Sequence, residues 1–325
     1  MRLATYNLEN LDFARPDEPA FAARVAALRP HLERLAADVL CLQEVNGQHP
    51  EDGGPRQLLA LDGLLDGTAY EGYHRAATTG PDGRGVADVH NLVVLSRWPI
   101  RAAAEHRHDL VDPPAYRSAT ARPPADGRAE VRWDRPLLHA AIAHPGGPSL
   151  HVVNLHLRAP LAAPIAGQKD GPESWRSLGA WAEGFYLAAI KRGGQALEAR
   201  LLAERLFDAE PAAWIAICGD CNAELREVPL LIAAGAFEDA RDPALLARRL
   251  IPVEGMVPAE RRFTLRHDGR PLMLDHILAS PALYATLSAV EIDNAGLPDE
   301  IRTPGPMPGS PHAPMVAVFD LPGRA

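Results

Sequence analysis

Short apolar blocks recur along this chain, and most of them end in a few polar residues. Leu3 to Asn7 reads as a first strand that closes on polar positions. Phe21, Val25, Leu28, Leu32 and Leu35 recur at helical spacing and predict a helix over 18–37. The run 38–42 is a buried strand delivering Gln43-Glu44 at its tip, and 56–65 is a second helix. Strands are expected over 69–75 and 91–95, the latter closed by Arg97-Trp98-Pro99. The apolar runs 137–143 and 150–155 flank His144-Pro145-Gly146-Gly147-Pro148, a turn signal that predicts a hairpin.

Residues 111–135 and 159–173 lack periodicity and read as long loops, which often border sites. A long helix is expected over 175–207, broken at Gly193-Gly194. The strand 214–218 leads into Gly219-Asp220, and 229–234 is a short helix. Strands over 261–265, 271–279, 286–292 and 314–321 complete the set. Runs of strands with a few helices between them fit α+β layering. No repeat or linker divides the chain, so residues 1–325 are expected to form one domain.

Composition narrows the function. Hydrophobic residues make up 47% of 325 positions, enough for a large core. The formal net charge of -9 argues against coating nucleic acid by bulk charge, although 33 Lys and Arg leave room for a local basic groove. Cys41 and Cys218 sit in apolar runs as core thiols. Cys218 and Cys221 have CxxC spacing but no second pair, which argues against zinc. The low, odd count fits a reducing compartment. The chain enters a strand pattern directly, without an apolar leader, and no stretch approaches the roughly 20 apolar residues of a membrane span. A cytoplasmic protein is expected.

Several polar strand ends carry candidate chemistry. Asn7 and Glu44 offer oxygen ligands to a hard cation such as Mg²⁺, and Glu9 can reach the same ion through water. Asp220 can orient or deprotonate a water, and Asn222 can donate to a phosphoryl oxygen or support Asp220. His156 can bond a phosphate oxygen or protonate a departing alkoxide. Asp275 and His312 read as an acid–imidazole pair in which the carboxylate fixes the ring tautomer. His276 alternates to the opposite strand face. Each residue also has an ordinary structural reading: a turn cap for Asn7, a solvated strand end for Glu44, an Asx turn for Asp220 and Asn222. His156 alone reads as a satisfied histidine, Asp275 as a salt-bridge partner and His312 as a loop residue. His106, His108 and His144 are read as surface residues.

Taken in order, Thr5-Tyr6-Asn7, Gln43-Glu44, Leu95-Ser96-Arg97-Trp98-Pro99-Ile100, His156, Asp220 with Asn222, Asp275 and His312 resemble the endonuclease/exonuclease/phosphatase superfamily over nearly the whole chain. The resemblance implies a four-layer α/β/β/α sandwich of two mostly antiparallel sheets flanked by helices. It implies that Glu44 binds a divalent metal, Mg²⁺ or Mn²⁺, with help from Asn7. Asp220 and Asn222 would lie beside the attacking water and scissile phosphate, His156 would touch the phosphate, and Asp275 would orient His312. One departure stands out: Ser310-Pro311-His312 replaces the family's Ser-Asp-His.

The expected reaction is metal-assisted in-line attack of water on a phosphoester. Arg117, Arg135 and Arg158 are the expected phosphate contacts, with Arg97, Arg122 and Arg132 in similar loops. Lys169, Trp175, Arg176, Lys191 and Arg192 follow His156, and a Trp with basic neighbours can stack a base. A nuclease cleaving DNA is the first expectation. A phosphatase or phosphodiesterase for a small or lipid-linked ester is the second, favoured by the acidic balance. A non-catalytic module binding a phosphorylated ligand is the third, motivated by Pro311. No obligate protein partner is indicated.

Overall fold

The computed structural model describes residues 1–325 apart from 14, 146, 237–241, 304–306 and 322–325. In chain order it runs β1 (Arg2–Leu11), α1 (Pro19–Leu35), β2 (Val39–Val45), α2 (Leu59–Leu65), β3 (His74–Ala77), β4 (Asn91–Ser96), β5 (Ile100–His106), β6 (Ala115–Tyr116), β7 (Ala129–Glu130) and β8 (Leu137–Ile142). It continues through β9 (Leu150–His156), α3 (Leu178–Ala209), β10 (Trp214–Asp220), α4 (Val228–Ala234), α5 (Pro243–Leu246) and β11 (Ile251–Pro252). β12 (Leu265–His267), β13 (Arg270–Leu272), β14 (Asp275–Ala279), α6 (Pro281–Tyr284), β15 (Leu287–Ile292) and β16 (Met315–Phe319) follow.

Strand alternation explains the layering. One six-stranded sheet has the order β15-β16-β1-β2-β4-β3, the other β11-β14-β10-β9-β8-β5. Among the described residues, only β1 with β2 and β9 with β10 pair in parallel within them; the other pairs are antiparallel. Alternate residues such as Leu3, Cys41, Val94, Val152, Cys218 and Ile277 form the core between the sheets. The opposite residues of the first sheet, including Ala4, Leu40, Leu42 and Val93, pack under Phe21, Leu28 and Leu32 of α1 and Leu61 of α2. Those of the second sheet, including Val153, Leu155 and Ile215, pack under Ala199, Leu202 and Phe207 of α3. This is the expected α/β/β/α sandwich.

Several local expectations need correction. α3 does not break at Gly193-Gly194. A Cβ on Gly194 would stand 2.5 Å from Trp133, so the missing side chain admits the Trp133 ring against an unbroken helix. Trp133 is anchored there by its Nε1–H donating to Glu198 at 2.8 Å. The expected strand over 69–75 is a turn followed by β3, pinned by Tyr70 donating its hydroxyl to the Leu32 carbonyl. β5 was not expected; its apolar positions are mostly Ala, too small to signal a strand. The loop 111–135 contains the β6–β7 hairpin. Residues 259–261 form a 3₁₀ turn, so the strand near 261–265 begins only at Leu265, and 271–279 divides between β13 and β14.

His106, His108 and His144 are half-buried rather than surface residues. His106 meets Asp109, His108 lies 3.7 Å from the Trp133 ring, and His144 packs between Trp98 and Trp214. All three cysteines are free and buried. Cys41 and Cys218 face each other across the two sheets, their sulfurs 3.3 Å apart, while Cys221 packs on the α3 side. Among the described residues no helix is long and apolar enough to cross a membrane.

Candidate active site

Register brings the polar strand ends together. In the second sheet Asp220 pairs with His156 on one side and Asp275 on the other, so three side chains line up at one end of the inter-sheet seam. Asn7, which shares a face with the inward-pointing Leu3 and Thr5 of β1, meets them from the first sheet. Strict alternation would turn Glu44 away from this seam. The ladder shifts register beyond Leu42, and Glu44 adopts φ 58°, re-aiming its carboxylate inward. Gly219, at φ 138°, lets β10 close against β9: a Cβ there would stand 1.9 Å from the Leu155 carbonyl oxygen.

Asp220 is the hub. Its Oδ2 accepts from Asn7 Nδ2 at 3.0 Å and Asn222 Nδ2 at 3.1 Å, and its Oδ1 accepts from the Asn222 backbone N–H at 2.8 Å. His156 Nε2 lies 3.4 Å from the same carboxylate and 3.6 Å from Glu44. His312 Nδ1 meets Asp275 Oδ2 at 2.8 Å, with Nε2 turned toward Asp220 at 4.0 Å. Asp275 is steadied by its backbone N–H donating to Thr264 Oγ1. Ser310 donates to the Asn7 carbonyl at 2.7 Å and accepts from the His312 N–H, tying the 310–312 loop to β1. Pro311 lies buried between them. His276 faces away, bonded to Glu254 at 2.6 Å, as alternation predicts.

The electrostatics separate the roles. Burial, reinforced by the charge of Asp275, pushes the Asp220 pKa up to about 7. Burial opposes the charge on His312, but Asp275 and Asp220 outweigh it and raise its pKa to about 10. Burial, with Arg135 and His90 nearby, drives the His156 pKa well below its ordinary value. His156 is thus a neutral imidazole near neutral pH. Its Nδ1 is buried without a partner, leaving Nε2 as its donor toward the two carboxylates.

Glu44 accepts from Asn7 Nδ2 and the Asn10 N–H, each at 3.1 Å. Burial and the charge of Glu44 raise the pKa of half-buried Glu9. Glu44, His156 and Asp220 present ligand atoms within 4.8 Å of one another, as do Asp220, Asp275 and His312. Oxygen donors dominate the group, which fits Mg²⁺ or Mn²⁺ better than a thiophilic metal.

Of the three expected arginines, the structure brings one to the site. Arg135 is half-buried, donates to His90 Nδ1 at 2.5 Å and feels the charges of Glu44, Asp134 and Asp220. Arg158 is ion-paired with Asp134 at 2.7 Å, and Lys191 with the same carboxylate at 2.6 Å. Arg117 is exposed, donating to the Ala125 carbonyl within the segment joining β6 and β7. Arg97 pairs with Asp38 at the start of β2, the far end of the strand from Glu44, and Arg132 pairs with Glu130. Lys169 lies over Trp175, and Arg176 pairs with Asp170.

His90 went unread in the sequence. Its Nε2 donates to Asn10 Oδ1 at 2.7 Å and lies 3.8 Å from Glu44. The available signal was the expected β4: antiparallel pairing places its start beside the end of β2, with Asn91 opposite Val45.

This two-sheet sandwich carries a carboxylate–imidazole cluster at its seam, and the family that its sequence matches is one of phosphoester hydrolases. The Endonuclease/Exonuclease/phosphatase family model matches residues 4–312, and the chain belongs to that family. Comparison of the sequence with curated proteins gave no match. Among solved structures, the 3′ phosphatase NExo from Neisseria, bound to product DNA hairpin, is 19% identical with TM-score 0.52, covering 98% of this chain and 99% of that one. An AP endonuclease from Archaeoglobus fulgidus is 17% identical with TM-score 0.50, covering 98% and 99%. TDP2 from C. elegans is 14% identical with TM-score 0.55, covering 98% of this chain and 74% of its own. At these identities the likeness is one of fold.

Proposed function

We propose that the chain is a divalent-metal-dependent phosphodiesterase acting on nucleic acid, DNA foremost, with residues 1–325 as one catalytic unit. The observation that carries this reading is Asp220 at the meeting point of Asn7, Asn222, His156 and the Asp275–His312 pair. Glu44, with Asn7 and Glu9, would hold Mg²⁺ or Mn²⁺, which supplies charge neutralisation on the phosphate when bound. Water attacks phosphorus in line with the departing oxygen. Asp220 takes the proton from the attacking water, since a carboxylate with a pKa near 7 is a competent base at neutral pH.

Asn222 holds the Asp220 carboxylate through two N–H bonds. His312, charged and fixed by Asp275, donates from Nε2 to a phosphoryl oxygen as negative charge develops. Neutral His156 adds a second donor. Arg135 is the proposed phosphate contact, with Arg158 available if its pairing to Asp134 is exchanged and Arg117 reaching a longer substrate. DNA as substrate is supported by family membership and by neighbours whose names include a DNA-bound phosphatase and an AP endonuclease. The cytoplasm is proposed from the low, odd cysteine count.

The test is hydrolysis of plasmid DNA and of bis-p-nitrophenyl phosphate with Mg²⁺, Mn²⁺ or EDTA, beside Asp220→Ala. Metal-dependent nicking lost in the variant supports the nuclease. Its affinity for DNA should also fall steeply with salt as counterions are released. The net charge of -9 favours a second reading, a small-phosphoester hydrolase; cleavage of the small ester alone would select it. Binding without turnover would select a non-catalytic module.

A further inference from the structure

Arg135 is a half-buried cation without an acidic partner: among the described residues no carboxylate oxygen lies within 4.0 Å of its guanidinium. Its neighbour Asp134 is already engaged by Arg158 and Lys191. The foremost negative charge that Arg135 feels is that of Glu44, ahead of Asp134 and Asp220. Electrostatics alone would close the guanidinium onto Glu44, the proposed ligand of the cation.

An imidazole stands between them. His90 Nδ1 meets Arg135 at 2.5 Å on one side, and its Nε2 lies 3.8 Å from Glu44 on the other. A guanidinium only donates, so Nδ1 accepts and the ring carries its one proton on Nε2. That N–H donates to Asn10 Oδ1 at 2.7 Å, and the Asn10 backbone N–H donates in turn to Glu44 Oε2 at 3.1 Å. The backbone behind the ring is pinned. His90 sits at φ 58° with its N–H donating to Asn46 Oδ1 at 2.9 Å, and the next residue, Asn91, donates to the Val45 and Ala87 carbonyls. Arg135 is held in its turn by Gln195 of α3, which donates to its carbonyl at 3.1 Å.

We propose that His90 is a positioning residue that keeps Arg135 and Glu44 apart, leaving the guanidinium free for a substrate phosphate and the carboxylate free for the cation. This role rests on the phosphoester-hydrolase assignment. A smaller residue at this position would let the guanidinium swing onto Glu44, which would neutralise the metal ligand and withdraw the phosphate contact in one move. An acidic residue would capture Arg135 itself. A neutral ring with an acceptor on one edge and a donor on the other does neither.

Calorimetric titration with Mn²⁺ tests it on the native protein, His90→Gly, Arg135→Ala and the double variant. Glycine suits the φ of 58° at this position. His90→Gly should weaken Mn²⁺ binding about fivefold or more, because Arg135 then occupies Glu44 for most of the time. Arg135→Ala should not weaken it, and the double variant should return to the affinity of Arg135→Ala. His90→Asn, which keeps an oxygen where Nδ1 stands, should retain most of the native affinity. Unchanged Mn²⁺ binding in His90→Gly overturns the proposal. So does a loss that Arg135→Ala does not repair, which is the outcome for a ring that merely supports the fold, or a loss in His90→Asn as large as that in His90→Gly. Should the glycine variant fail to fold, His90→Ala carries the same expectations. Turnover of bis-p-nitrophenyl phosphate by the native protein is read separately. A protein that hydrolyses no ester yet shows the repaired Mn²⁺ affinity loses the hydrolase reading and keeps this role for His90; turnover without that repair does the reverse.

Discussion

Asp275 Oδ2 lies 2.8 Å from His312 Nδ1, so the imidazole reaches the site with its free nitrogen already aimed at Asp220. The contact joins the second sheet to the loop entering β16 of the first. It orients the ring and sustains its positive charge.

Asp275→Asn keeps the shape of this contact and removes its charge. kcat should fall on the order of 10²-fold or more, with a smaller change in KM. His312→Ala should fall at least as far. Steady-state kinetics on plasmid DNA or the aryl diester would show it, and near-normal turnover in His312→Ala would remove that residue from the mechanism.

The pH profile of kcat/KM should be bell-shaped. Asp220 works as the carboxylate, so activity is lost as pH falls through its raised pKa. A neighbouring cation moves that limb below 7, yet it should stay above the 3.8 of an ordinary aspartate. His312 works protonated, so activity is lost as pH rises through about 10. These midpoints belong to the coupled Asp220–Asp275–His312 group. Measuring from pH 4 to 11 would expose an alkaline limb near 6.5, the result that contradicts a stabilised imidazolium.

Glu44→Gln keeps the hydrogen-bonding reach toward Asn7 but removes one of the three carboxylates, Glu44, Asp220 and Asp275, that meet at the seam. Mn²⁺ affinity by titration calorimetry should weaken at least about tenfold, since carboxylate charge sets affinity in oxygen-rich sites. Unchanged affinity would move the cation to another group of residues.

Gly219→Ala should destabilise the fold. The residue sits at φ 138° with the Leu155 carbonyl 1.9 Å from any added Cβ. Backbone strain alone costs about 1–3 kcal/mol, and the contact adds to it. Urea denaturation would register the change, and a wild-type midpoint would show that the β9–β10 contact relaxes freely.

The strand ends were readable because each apolar run stopped at a polar residue, and register did the rest: Asp220, His156 and Asp275 are simple neighbours across three strands. Glu44 was readable as a strand tip, although alternation alone would have faced it outward; the left-handed turn that redirects it leaves no pattern in a Gln-Glu pair. Gly194 misled because glycine in a helix normally weakens it, whereas here it receives a distant Trp133 ring. The surroundings of the arginines were not legible for a related reason. Sequence gives their charge but not their partners, and Asp134 and Asp38 engage Arg158 and Arg97. His90 became visible only once β4 lay beside β2.

Asn154 spans the seam below the site, donating to the Leu42 and Val93 carbonyls and accepting from Gln43 at 2.7 Å. It works as a dowel between two plates, fixing how one slides against the other. Neither plate alone carries a complete cluster: Asn7 and Glu44 belong to one, His156, Asp220 and Asp275 to the other. Catalytic competence is therefore a coincidence signal, present only when both plates are seated. Mutual repulsion of the carboxylates works against that seating, and a cation at the seam would act as its latch.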